Sequence, residues 1–107
     1  MSKINSIKKS RDNNYGFETS LNTAVFTTSF VINNKRLITY VSHDLEDGAW
    51  QFFSDDLFDD FEKVAKLVSL EEIIDLDPSI IDLSEMQEGY SASRETLNDR
   101  WVIKKKE

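Results

Sequence analysis

His43 is the chain's only histidine, and it stands in Tyr40-Val41-Ser42-His43-Asp44 with Asp47 close behind. Ser, His and Asp together bring nucleophilic hydrolysis to mind. That chemistry needs a hydroxyl within hydrogen-bond reach of the imidazole and a carboxylate behind the ring. Adjacent residues of a strand point to opposite faces, so Ser42 and His43 are badly placed to react together. His43 with Asp44 or Asp47 remains as an acid–base or ligand-holding pair, and His43 is the single catalytic candidate. Its simpler role is a polar residue at a strand end.

The same segment opens a run of carboxylates. From Asp44 to Glu62 there are eight acidic residues and no Lys or Arg, whereas the rest of the chain holds twelve acids and thirteen bases. The net charge of -7 over 107 residues is therefore one acidic segment on an otherwise balanced chain. Calcium binding would need six to eight oxygens in a defined loop. Counting back from Gly48 in the EF-hand spacing puts His43, Leu45 and Asp47 at the ligand positions, and the match fails. No spacing supports a carboxylate pair for glycoside hydrolysis. The expectation is no metal site and no cofactor. Between the acids lie Trp50, Phe52, Phe53, Phe58 and Phe61. Large aromatics most often form core. Where they are exposed and rimmed by charge, they serve as anchors for a protein partner. On that reading the partner-binding candidates are Asp44, Glu46, Asp47, Trp50, Asp55, Asp56, Phe58, Asp59, Asp60 and Phe61.

Composition excludes several other classes. There is no Cys, so disulfide scaffolds, Cys-ligated zinc, iron–sulfur clusters and thiol catalysis are absent. Three scattered glycines give no phosphate-binding loop. Apolar runs of two or three residues are far too short to span a bilayer, for which about 20 are needed. No apolar segment follows Lys3, Lys8, Lys9 and Arg11, so a signal peptide is not expected and a cytoplasmic location is. The acidic balance argues against general nucleic-acid binding. The basic run from Arg100 to Lys106 reads as an edge strand guarded by Lys.

The elements that must position these residues read as one α+β domain over 16–107, preceded by a flexible arm over 1–15. Thr23 to Ile32 alternates Val25, Thr27, Ser29 and Val31 against Phe26, Thr28, Phe30 and Ile32. Arg36 to Ser42 alternates again after Asn33-Asn34, which predicts a β-hairpin. Asp47-Gly48 marks a turn before a third strand, with Trp50 and Phe52 on one face. Ser54 with Asp55 and Asp56 reads as the cap of a helical turn that buries Leu57, Phe58 and Phe61. A strand is expected from about Lys66. Ser69-Leu70-Glu71-Glu72 is a capping box opening a short helix with Leu70, Ile73 and Ile74 inward. Asp77-Pro78 ends it and starts a second, with Ile80, Ile81 and Leu83 apolar. Tyr90–Glu95 and Arg100–Lys105 form a closing hairpin with Trp101 and Ile103 facing the core. The sum is a mainly antiparallel sheet of five or six strands with two short helices between the strand runs.

With these residues in view, the chain resembles a small family of uncharacterised bacterial proteins. That family carries a D-G-x-W-Q-F turn, an L-x-x-x-x-x-x-D-P-S segment, then G-[WY]-x-A-x-R and a late Trp. Here these are Asp47 to Phe52, Leu70 to Ser79, Gly89 to Arg94 and Trp101, and the resemblance covers most of 23–103. The D-G-x-W-Q-F turn is also similar to the D-S-G-W-R-F turn of predicted immunity proteins from bacterial polymorphic toxin systems. Those proteins often continue into G-D-E, where this chain has Ser54-Asp55-Asp56. The resemblance implies a cytosolic bacterial protein and an inhibitor role, and it carries over no catalytic residue. The leading expectation is thus a non-enzymatic protein-binding module, an immunity protein that neutralises a basic toxin through its acidic surface. The alternatives are a small hydrolase or ligand-binding protein using His43 with Asp44 or Asp47, and a structural or regulatory protein.

Overall fold

A computed structural model describes residues 14–106. The expected arm over 1–15 falls outside these residues except for Asn14 and Tyr15, which enter a turn ahead of buried Phe17. In chain order the elements are β1 (Ala24–Thr28), α1 (Ser29–Ile32), β2 (Tyr40–His43), β3 (Trp50–Phe53), α2 (Phe61–Val64) and β4 (Ala65–Ser69). There follow α3 (Leu70–Leu76), a 3₁₀ helix (Pro78–Leu83), β5 (Tyr90–Ser93) and β6 (Val102–Lys105). The six strands form one mixed sheet in the order β4-β1-β3-β2-β5-β6. Among the described residues only the β1–β3 pairing is parallel, with Phe26 opposite Gln51; the other pairings are antiparallel. This is the expected α+β class.

The first expected hairpin does not form. The chain leaves the sheet after Thr28, whose side chain caps a helical turn by accepting from the Val31 N–H. Arg36 N–H then donates back to the Phe30 carbonyl at 3.1 Å, and Lys35 takes a positive φ of 57°. Val31 and Ile32 have strand propensity, but Val31 is better buried from this turn, at 2% exposure. Packing overrides so weak a local preference. Because the chain turns away here, β2 is laid down two places from β1. The hairpin β2–β3 then brings β3 back between them, with Val41 opposite Phe52 and His43 opposite Trp50.

The inner face of the sheet is closed by the crossover from β4 to β5. Ser69 caps α3 by accepting from the Glu72 N–H, and Leu70, Ile73 and Ile74 are buried. Asp77 caps the 3₁₀ helix by accepting from the Ser79 N–H, with Pro78 in its first turn and Ile80 and Leu83 inward. These residues pack with Val25, Val41, Trp50, Phe52 and Ala92 in one core. A buried knot holds the crossover to β5. Arg94, 6% exposed, donates to the Ile38 carbonyl, Ser79 Oγ and the Asp77 carboxylate, and its guanidinium lies 4.2 Å from the Trp101 ring centre. Trp101 is partly buried against the core, but Ile103 is 47% exposed, because β6 is the sheet's edge and the crossover does not reach it. Lys104 and Lys105 lie on that edge, as expected.

Candidate functional site

The acidic segment is divided in space by the strand inside it. Asp44, Glu46 and Asp47 belong to the β2–β3 turn, while Asp55, Asp56, Asp59, Asp60 and Glu62 lie beyond the other end of β3. Four residues of strand, about 13 Å, separate the two groups. Most of these acids already have work inside the fold. Asp44 accepts from Lys106 Nζ at 2.7 Å, from Ser42 Oγ at 2.6 Å and from Gln51 Nε2 at 2.6 Å. Burial acts to raise the Asp44 pKa, but the bonds from Lys106, Ser42 and Gln51 together hold it below the ordinary carboxylate value. Lys106 is correspondingly raised, chiefly by its hydrogen bond to Asp44. Asp47 accepts from the Ala49 N–H within the turn.

At the other end, Arg36 pairs with Asp55 at 3.1 Å and Asp56 at 2.9 Å. Asp56 is lowered by hydrogen bonds from Ser54 and then Arg36, and Arg36 is raised in turn by Asp56. The expected helical cap at Ser54 is not built. Ser54 donates to the Asp56 side chain instead, and the turn begins at Phe61 under an Asp60 cap. Among the described residues, Asp59 and Glu62 make no ion pair.

The aromatics divide between the two faces. Trp50 and Phe52 point inward and are 2% and 0% exposed. Trp50 therefore sits in the core and not beside Phe58. Phe53 points outward and joins Tyr40, Phe58 and Phe61 at ring distances of 5.7–6.3 Å, and Phe26 adjoins Phe61 at 6.3 Å. Tyr40, Phe26 and Phe58 remain 37–40% exposed, and Leu67, opposite Phe26 across the β1–β4 pair, is 61% exposed. Leu57, expected to be buried, is 93% exposed, because the segment before Phe61 is not helical and presents it to solvent. Sequence periodicity did not reveal Phe26, Tyr40 and Leu67 as members of this patch. They come from three strands, and only the β4-β1-β3-β2 order places them together.

His43 lies on the other side from Ser42. Its ring stacks on Trp50 with centroids 4.0 Å apart, and Nδ1 lies 2.8 Å from the Met86 carbonyl. Ser42 is engaged with Asp44 and Lys106 on the outer face. No Ser–His dyad is assembled, and no hydrogen bond joins His43 to Asp44 or Asp47 among the described residues. Beside His43 is a cleft of about 780 Å³, also lined by Trp50, Met86, Glu18, Glu85 and Glu88. Among the described residues no cluster of three or more His, Cys, Asp or Glu is placed to hold a metal ion. Among the described residues no helix is long and apolar enough to cross a membrane. No family model, curated protein or solved structure matches this chain.

Proposed function

We propose that this chain is a non-enzymatic protein-binding module that docks a partner with a basic surface on the outer face of its sheet. The observation that carries this reading is the exposed patch of Tyr40, Phe58, Phe26 and Leu67, bordered by Leu57 and by carboxylates at Asp59 and Glu62. Contiguous exposed apolar surface marks interaction sites in soluble domains. Aromatic rings give large contact area at low entropy cost, and surrounding charge selects the partner and speeds its approach. The rim acids Asp59 and Glu62, without an ion pair among the described residues, favour a basic partner. Neutralising a basic toxin is the specific role this surface would suit.

Two variants test it, compared by affinity capture from the native host at low and high salt. Asp59→Lys/Glu62→Lys reverses the rim charge, and Phe58→Ala trims the patch. The expected result is one basic protein that co-purifies with wild type, is released by salt and is lost from both variants while their circular dichroism is unchanged. Identical captured proteins from wild type and the charge-reversed variant would overturn the reading.

A further inference from the structure

The sheet ends at β6, and among the described residues no strand pairs with its far side. Lys106 N–H donates to the Gly89 carbonyl at 2.8 Å. Backbone groups along a strand alternate sides, so Lys104 and Val102, opposite Ser91 and Ser93, also bond to β5. Ile103 and Lys105 therefore turn their N–H and C=O groups away from the sheet. Such a row of free groups is a template for one more strand, and extended peptides are commonly held this way.

The side chains select which strand. All of β6 is exposed, and it contains no acid. Val102 and Lys104 share the outer face with Lys106, and a shallow concavity of about 670 Å³ joins them there to Arg100 and Ser93. Glu95 and Asp99 also line it, but Asp99 already accepts from the Glu95 and Thr96 N–H groups. Ile103 and Lys105 share the inner face, where Asp82 and Glu85 line a hollow with Ile103. Arg100, Lys104 and Lys105 make no ion pair among the described residues. Two β6 strands laid side by side would crowd like charges, which opposes self-pairing. A strand of opposite charge meets no such barrier. Asp82 and Glu85 fix where its acids can stand, on the outer side only, which leaves the inner side for apolar residues against Ile103.

We propose that β6 takes an extended acidic segment of a partner protein as an added strand, with alternate carboxylates on Arg100 and Lys104 and β-branched side chains against Ile103. This edge is separate from the aromatic patch and asks for the opposite charge in its partner.

The test is a nitrogen–proton correlation titration of the full chain at low salt. The probes are acetylated peptide amides of sequence Glu-Val-Glu-Val-Glu, Lys-Val-Lys-Val-Lys and Glu-Pro-Glu-Pro-Glu. The first is expected to move the Ile103 and Lys105 amide signals most and to saturate with a dissociation constant on the order of 1 mM. Neither other peptide should saturate. Arg100→Glu/Lys104→Glu should weaken the first peptide about tenfold or more. Ile103→Pro removes a free donor while keeping the β5–β6 bonds, and it should abolish binding. No saturation by the first peptide, or shifts confined to β4, would overturn the proposal. Equal binding of the proline peptide would overturn strand addition, and equal binding of the lysine peptide would overturn the charge selection. An edge that fails while capture on the outer face succeeds refutes this inference alone.

Discussion

Phe52 and Phe53 are neighbours in one strand, and they show how differently the two faces of the sheet are used. Phe52 is fully buried beneath the β4–β5 crossover. Phe53 belongs to a ring cluster that the chain covers only in part, leaving Phe26, Tyr40 and Phe58 more than a third exposed. The ionic contacts follow the same division. On the inner side, Arg94 and Asp77 are almost wholly buried and every bond they make is to a named partner. On the outer side, Lys106, with its side chain a third exposed, pairs with Asp44 beside Ser42. One face is committed to holding the fold. The other retains apolar area and charge that the fold does not consume.

If that division is right, the largest stability losses fall on the inner face. Phe52→Ala should cost about 3–5 kcal/mol, as large core truncations do. Arg94→Ala should cost a similar amount. It strands the Asp77 carboxylate, frees the Ile38 carbonyl and removes the cover from Trp101. Urea denaturation checks both, and a loss under about 1 kcal/mol for either would break the comparison.

Asp44 is intermediate, since its network lies on the outer face but is mostly shielded, with the side chain 16% exposed. Asp44→Asn should cost about 2 kcal/mol at neutral pH, the usual scale for bonds to a charged group. The Asp44 pKa is depressed in the folded state, so its contribution is present above the unfolded value of about 3.9 and is lost as pH falls through the folded value. Wild type should therefore lose more stability than Asp44→Asn between pH 5 and the acid limit of folding. Parallel pH profiles for the two proteins would show that the Lys106–Asp44–Ser42 network contributes nothing.

Much of the inner face was legible in the sequence. The caps at Ser69 and Asp77, the inward Leu70, Ile73 and Ile74, the Trp50/Phe52 face and the closing hairpin all arise from local signals within a few residues. The outer face was not. Its members come from β1, β2, β4 and the segment after β3, and their meeting depends on a parallel β1–β3 pair that no local pattern announces. The error at Thr23–Ile32 has the same origin. Strand propensity there was real, but burial of Val31 from a capped turn decided the path. The acidic segment was legible as charge and misleading as a surface, because β3 divides it and internal partners occupy Asp44, Asp55 and Asp56.

The smallest stability effect is expected at Phe58, and it separates the two faces most sharply. Phe58 packs on Phe53 and Phe61 yet keeps 40% of its surface in water. Truncation to Ala removes area that the fold only partly buries, so the loss should stay near about 1 kcal/mol. The same truncation removes an aromatic anchor from the docking patch, where a central ring commonly carries 2 kcal/mol or more of binding, about thirtyfold in affinity. Phe52→Ala should show the opposite pattern, a large loss of stability with binding reduced only in proportion to the unfolded fraction. Measuring both quantities for both variants gives four numbers with a predicted ordering. If Phe58→Ala instead destabilised the domain as much as Phe52→Ala, the outer rings would be a second core, and the surface left for a partner would shrink to Leu57, Leu67 and the acids around them.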